Sequence, residues 1–306
     1  MEALTLRVFI LGGTGTIGRA VVADLAARSH DVVGLSRSVA SDAVLRALGA
    51  APCRGDLLEP EPWVDHAVGH DAVVQLAATF EDDMGAVDAR VMSALVRAAQ
   101  VRSEPLRVVY TGGCWLYGET GDRMASEETP FNPLPAFAWM VAQADMLLSA
   151  PAMRAAIIHP AIVYDAGDGG AFHRFVAAAK AGQPIEVWGS QDIRWPLIES
   201  SDLARAYGDL VERRDLVGHF NAVAEEGVPV GDLARTIARA YGGPREPVVL
   251  DMDAAIAAHG ASAKGPMLDQ RMSGEKLRAA TGWAPQVTDF RQSCLIKAAS
   301  DARRGR

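Results

Sequence analysis

From the N-terminal end to Gly118, apolar and polar residues come in alternating blocks. A compact apolar run, LRVFILGG from Leu6 to Gly13, precedes a helical pattern, TIGRAVVADLAARS from Thr16 to Ser29. Further runs follow: DVVGLSRS (Asp31 to Ser38), APCRGDL (Ala51 to Leu57), DAVVQLAA (Asp71 to Ala78) and LRVVYTGG (Leu106 to Gly113). Each reads as a strand. Between them SDAVLRALG, capped at Ser41, and ARVMSALVRAAQ read as helices. Strands that lack strict alternation fit a sheet covered on both faces, and the strand-helix order predicts parallel βαβ units.

Beyond Gly118 the pattern loosens. GETGDRMASEETPFNPLP is rich in turn formers and reads as a loop covering a site. AFAWMVAQADMLLSA reads as a helix, RAAIIHPAIVY as one strand, and FHRFVAAAKAGQ as a helix. SSDLARAYGDLVERR is a helix capped at Ser200 or Ser201, and HFNAVA a short strand. The last third, with VGDLARTIARAYG, DMDAAIAAHG and MSGEKLRAATGWAP, is mainly helical, and the tail SDARRGR reads as frayed.

GGTGTIG, Gly12 to Gly18, lies between the first strand and the first helix. Gly12 permits a tight turn, Gly15 lets backbone approach a pyrophosphate, and Gly18 lets helix and sheet pack closely. The helix N-terminus then faces the phosphate charge. Strand-turn-helix context turns a weak glycine pattern into a dinucleotide site. Residues 1–164 are therefore expected to form a dinucleotide-binding domain. Residues 165–306 form a smaller lobe, with 197–224 returning to the first domain. The second strand ends in Ser36 and Arg37, where an NAD enzyme places an acidic residue. An arginine fork suits a 2′-phosphate, so NADP is expected ahead of NAD; a solvated surface arginine is the plain alternative. Asp56, with Leu57 beside it, is placed near the adenine or is simply a helix cap.

Composition narrows the partners. The 306 residues are 49% hydrophobic and carry a net charge of −8. That argues against nucleic acid, and no basic stripe or reading motif is present. No apolar run is long enough for a membrane span. Three scattered cysteines, Cys53, Cys114 and Cys294, suggest neither a disulfide framework nor a zinc cluster. A reducing, cytoplasmic setting and no metal are expected.

GGTGTIG, GDL (Gly55 to Leu57), QLAA (Gln75 to Ala78), VVYTGGCWLYG, HPAIVYDAG, SSDLARAYGDL, NAVA and TGWAP run through the chain in order. In this order and spacing the chain resembles the extended short-chain dehydrogenase/reductase superfamily, in the branch of sugar-nucleotide epimerases and dehydratases. The resemblance implies an α/β fold: a Rossmann-like parallel sheet with a smaller, mostly helical substrate lobe at the C-terminal end, often paired as a homodimer through two helices. It adds Thr14, Thr16, Ile17, Ala77, Ala78 and Thr111 to the cofactor-lining residues.

The active site departs from the family. Members carry a serine or threonine after the fifth strand, then a tyrosine and a lysine four residues apart on the next helix. Gly113 stands at the serine position. Trp139 and Gln143 have the pair's spacing, as do Ala136 with Met140 and Phe137 with Val141; every register lacks both residues. Tyr164, His173, Tyr117 and Cys114 are the candidate proton donors, each with a packing role as its alternative. Gly113, Trp115, Trp139, Trp188, Arg194 and Trp195 are candidates for holding a small-molecule substrate, Arg194 by pairing with a diphosphate. Two functions are compatible with this pattern. One is a divergent NADP-dependent oxidoreductase or epimerase-like enzyme acting on a small organic carbonyl or sugar-nucleotide-like substrate. The other is a non-catalytic NADP-binding sensor or scaffold.

Overall fold

The structure is a computed structural model that describes residues 5–79, 83–165 and 170–293. In the first half, β1 (Arg7–Leu11), α1 (Thr16–Ala27), β2 (Asp31–Ser36), α2 (Val39–Ala47), β3 (Ala51–Arg54), α3 (Glu61–Val68), β4 (Ala72–Gln75), α4 (Met84–Ala99) and β5 (Leu106–Thr111) alternate. Then come β6 (Met124–Ala125), α5 (Trp139–Ser149), β7 (Met153–Pro160), β8 (Ile162–Tyr164), α6 (His173–Lys180), β9 (Glu186–Trp188) and β10 (Arg194–Glu199). The chain continues through α7 (Ser200–Glu212), β11 (Gly218–Ala222), β12 (Glu225–Pro229), α8 (Val230–Tyr241), β13 (Val248–Leu250), α9 (Met252–His259), β14 (Arg271–Met272) and α10 (Glu275–Thr281).

Seven parallel strands form the main sheet in the order β11-β7-β5-β4-β1-β2-β3. The order reverses between β1 and β4, which opens a crevice at their C-terminal ends. Val21, Val22 and Leu25 of α1, Leu45 of α2, Leu203 and Leu210 of α7 and Leu277 of α10 cover one face. Trp63 of α3, Met92 and Leu95 of α4 and Leu147 of α5 cover the other. Burying each such Val or Leu contributes about 1.5–3 kcal/mol, which is why these strands read as unbroken apolar runs. This is the Rossmann-like sheet with a smaller, more helical C-terminal region.

The expected elements are present with informative differences. RAAIIHPAIVY is two strands: β7 joins the main sheet, whereas β8 pairs with β10 in a second sheet, β12-β10-β8. The break falls at Ala161, whose N–H is taken by Ala222 O at 3.0 Å. The cap of α2 is Ser38, not Ser41; its hydroxyl accepts the Ser41 N–H at 3.1 Å. The cap of α7 is the Glu199 carboxylate, not Ser200 or Ser201, and it accepts Ser201 N–H at 2.6 Å. Helix α3 is absent from the expected elements because Pro60 and Pro62 at its start read as turn formers. The tail SDARRGR lies outside the described residues, as does most of DAGDGG.

The lobe has its own core of Tyr164, Phe172, Phe175, Val187, Trp195, Leu233, Ile237 and Phe290. It is tied to the main sheet by charge. The buried Asp202 carboxylate accepts the N–H groups of Gln286 (2.9 Å) and Val287 (2.8 Å) and pairs with Arg205. The Asp202 carbonyl accepts Trp283 Nε1–H at 3.0 Å. Asp202 is therefore architectural.

At the lobe's end, Glu225 Oε1 accepts the N–H of fully buried Phe290 at 2.8 Å. Burial pushes the Glu225 carboxyl from 4.5 up to about 7; the Phe290 amide opposes this, nearby Asp289 adds to it, and Arg291 opposes it. A raised carboxyl pKa means the folded chain binds that proton more tightly than the unfolded chain. Its contribution is therefore full below the ordinary value and is lost as pH rises through the folded one. Glu225→Gln should raise Tm over wild type at pH 8, with the advantage shrinking at pH 5. Circular dichroism melts at the two pH values check this, and equal shifts at both would refute it.

Candidate functional site

The turn after β1 explains its glycines individually. Gly12 has φ +86°, and a Cβ there would stand 2.7 Å from Ala77 N. A Cβ on Gly18 would lie 2.0 Å from Gly12 O. Gly15 differs: its φ is −73° and its Cβ would meet only Gly12 O, at 3.6 Å. Gly15 thus keeps space open in front of α1. It caps that helix without a side chain, and no acidic residue lies in the first turn. The first N–H groups of α1 are left for an anion.

A cleft of about 500 Å³ opens here, lined by Thr14, Gly15, Thr16, Arg19, Ala20, Asp165 and Ser200. Arg19 and Asp165 are not singled out by the sequence, and Ser200 is read there only as a helix cap. Arg19 is signalled only by its place in the first turn of α1, and its Nε donates to Thr14 O at 2.9 Å. Asp165 and Ser200 reach the cleft through a crossover that no local pattern encodes. Ile17, Leu57, Ala77 and Ala78 are half-buried around the turn and the ends of β3 and β4. Asp56 turns its carboxylate to Leu58 N–H at 3.0 Å, and its carbonyl accepts Trp63 Nε1–H at 2.8 Å.

Ser36 and Arg37 sit at the end of β2. Ser36 is buried and donates to Asp42 Oδ1 at 2.6 Å; Arg37 is exposed. Thr111 faces inward. Its hydroxyl donates to Gln75 O at 2.5 Å and lies 2.6 Å from the Tyr207 hydroxyl.

The turn between β5 and Tyr117 holds two unlike glycines. A Cβ at Gly112 would be 2.4 Å from His159 Nδ1, whereas one at Gly113 would meet nothing within 4 Å. His159 accepts Gly113 N–H on Nδ1 at 3.3 Å, and its Nε2 lies 2.9 Å from His219 Nδ1. Burial lowers His159 from 6.5 to about 3, with His219 adding to this, so the ring is neutral. With Nδ1 accepting, its proton belongs on Nε2.

Three of the four candidate proton donors are enclosed. Cys114 is buried, and burial pushes its thiol up to about 12. Tyr117 donates its hydroxyl to Asn221 Oδ1 at 2.8 Å, and burial raises its pKa. Tyr164 is fully buried in the lobe core, stacked on Phe172 at 4.5 Å. His173 is exposed at the start of α6.

Most candidate substrate contacts are occupied within the protein. Arg194 is clamped by Asp269, at 2.9 and 2.6 Å, and by Asp122 at 2.8 Å. A guanidinium so paired has few donors left for a diphosphate. Trp195 Nε1 donates to Pro266 O at 2.8 Å and the ring stacks on Phe175. Trp188 is sandwiched between Arg174 (4.2 Å) and His259 (4.5 Å) in the lobe. Trp139 covers Gly85 of α4, where a Cβ would be 2.8 Å from the ring, and donates to Ala136 O. Trp115 lies between Gly265 and Phe137, half-buried.

A model of the NAD dependent epimerase/dehydratase family matches residues 8–223. The chain belongs to this family. An uncharacterized protein of Schizosaccharomyces pombe is 28% identical over 240 residues, 76% of this chain and 80% of that protein. Among solved structures, the Thermus thermophilus UDP-glucose 4-epimerase complex with NAD superposes with a TM-score of 0.79 at 22% identity, covering 98% of this chain and 99% of that one. A double mutant of DesIV, a dTDP-glucose 4,6-dehydratase from Streptomyces venezuelae, with NAD and DAU bound, gives 0.80 at 17% identity, covering 98% of each chain.

The expected preference for NADP does not stand. Both of these family-like structures hold NAD, so NAD is at least level with NADP. The geometry removes part of the ground for the preference, since the Ser36 hydroxyl is committed to Asp42. Among the described residues no group of three or more His, Cys, Asp or Glu is arranged to hold a metal, and no helix is long and apolar enough to cross a membrane.

The residues present fit a dinucleotide. The glycine cradle and the uncapped helix end face an open cleft; outside its lining, Thr79 Oγ1 and Gln143 Oε1 are among the side-chain atoms buried without a hydrogen-bond partner among the described residues. Buried unpaired polar atoms are costly, and a missing ligand is one explanation for them. Gly15→Ala should cost about 1 kcal/mol or less in stability, as at other cap positions. Gly18→Ala forces its methyl into the Gly12 carbonyl and should cost about 1–3 kcal/mol. Urea melts separate the two. Gly15→Ala should nonetheless weaken dinucleotide binding measured by calorimetry, and unchanged affinity would show that the cleft before α1 is not where the phosphates lie.

Proposed function

We propose that the protein is a dinucleotide-dependent enzyme of the oxidoreductase or epimerase type, acting on a small carbonyl or sugar-nucleotide-like substrate. The observation that carries this reading is the cleft before α1, where Gly15 keeps room for a phosphate beside unsatisfied helix N–H groups. Family membership over residues 8–223 agrees with it, and the two solved relatives are named for UDP-glucose and dTDP-glucose chemistry. The bound dinucleotide would supply hydride transfer at its nicotinamide. This chain's residues would bind and orient it: Thr14 to Gly18 at the phosphates, Ala77 and Ala78 along its flank, and Thr79 and Gln143 as polar contacts.

We further infer that the enzyme works without the family's tyrosine-lysine pair. Helix α5 contains neither residue, and Gln143 stands where the lysine falls if Trp139 takes the tyrosine register. Cys114 and Tyr117 hold their protons too tightly to act as acids near neutral pH. Proton exchange is assigned to His173, or to water admitted at the opening beside Gly113, which also leaves room for substrate. A second reading, a non-catalytic dinucleotide-binding sensor or scaffold in a reducing cytoplasmic setting, is favoured by that same bare helix.

Calorimetry with NADH and NADPH comes first, and binding of at least one is expected. Neither binding would end the dinucleotide reading. A panel of carbonyl compounds and sugar nucleotides, followed at the nicotinamide absorbance and by mass spectrometry for redox-neutral products, should then reveal turnover that His173→Ala slows at least about tenfold if His173 is the donor. Tight dinucleotide binding with no product across the panel would favour the sensor.

A further inference from the structure

The close approach of Gly12 to Ala77 leaves no slack in where Ala77 sits, and Ala77 is held by side chains behind it. Ala77 N–H donates to Gln75 Oε1 at 3.1 Å, and Gln75 Nε2 reaches Ala77 O at 3.3 Å. The same Nε2 donates to Asp88 Oδ1 of α4 at 2.7 Å, while Tyr110 of β5 donates to Asp88 Oδ2 at 2.9 Å. Gln75, Asp88 and Tyr110 are all buried. A carboxylate in such a place is expensive unless its hydrogen bonds require it.

The requirement is one of polarity. A carboxylate can only accept. Facing Asp88, the Gln75 amide must present its NH₂, which turns its oxygen to Ala77 N–H. We propose that Asp88, Tyr110 and Gln75 are positioning residues for the dinucleotide, locking the amide of Gln75 and thereby the placement of Ala77 against the phosphate-binding turn. The inference rests on the dinucleotide reading above, and none of the three side chains need touch the ligand.

The lock predicts a rescue. An asparagine at position 88 could accept from Gln75 or from Tyr110, but not from both. In the first case the Tyr110 proton loses its acceptor; in the second the Gln75 amide is driven round and sets its NH₂ against Ala77 N–H. Gln75→Glu alone sets a second carboxylate against Asp88. The pair Gln75→Glu with Asp88→Asn restores the pattern: the new amide donates to position 75 and accepts from Tyr110, and the new carboxylate accepts Ala77 N–H. Only the longest contact, to Ala77 O, is lost.

The test is NADH affinity by fluorescence titration, well below each variant's Tm, alongside amide exchange at Ala77 by NMR without ligand. Gln75→Glu should weaken NADH about tenfold or more and speed Ala77 exchange; Asp88→Asn should do so less, and the double variant should return within about threefold of wild type. Should Gln75→Glu fail to fold, Asp88→Asn and Tyr110→Phe carry the same measurement. Variants that lower Tm yet bind NADH as wild type does, or a double variant no better than the worse single, would overturn the proposal while leaving the dinucleotide reading intact. Wild-type protein that binds neither NADH nor NADPH would overturn both.

Discussion

The turn after β1 and the chain leaving β4 come as near as two backbones can: a single methyl at Gly12 would stand 2.7 Å from Ala77 N. Much of the cleft follows from that contact. It needs the positive φ of Gly12, which a side chain adopts only at a cost. It needs Gly18, because α1 must start directly over the Gly12 carbonyl. It also brings the unsatisfied N–H groups of α1 to the crevice where the sheet order reverses between β1 and β4. Two strands packed any less closely would aim the helix elsewhere, and the cleft before α1 would lose its geometry.

Elsewhere, polar groups that look like ligands for substrate serve the architecture instead. Arg194 spends its guanidinium on Asp269 and Asp122. Fully buried Arg107, lowered to about 10 chiefly by burial, donates to the carbonyls of Leu210, Arg154 and Leu216 and so fastens the end of α7 to the sheet. The Arg194 bonds secure a lobe whose own strands are short, whereas the Arg107 bonds hold α7 on the main sheet. They also narrow what is left for chemistry, because a fully paired cation in a half-dry setting has little capacity for a second partner.

The parallel sheet was legible because its strands are buried on both faces and its helices have long amphipathic periods, as in VVAD of α1 and VMSALV of α4. The glycine turn was legible because Gly12 and Gly18 sit where backbone meets backbone and a side chain does not fit. Elements of three residues, such as β9 and β13, carry too little pattern to be seen, and β8 is legible only as a continuation of β7. The commitment of Arg194, Tyr117 and Thr111 was hidden for a different reason. Their partners, Asp269, Asn221 and Tyr207, lie 75, 104 and 96 positions away in sequence. Local reading sees a residue's capacity for hydrogen bonding; only the fold shows whether that capacity has been used.

The pair at Gly112 and Gly113 makes the same point within two residues. In the sequence they are simply adjacent glycines, with Gly113 at the position where the resembled family carries a serine. In the fold Gly112 is glycine because His159 fills the place of its side chain, with Nδ1 2.4 Å from where a Cβ would stand. Gly113 is under no such pressure. Its φ of 177° is ordinary extended backbone, open to any residue, and the space before it is clear. Neither strain nor packing requires glycine at 113. What that glycine supplies is volume, at the position where the resembled enzymes hold a hydroxyl. The missing hydroxyl therefore leaves an opening in an otherwise closely packed turn, which is a reason to look for a substrate, or a water, that fills it.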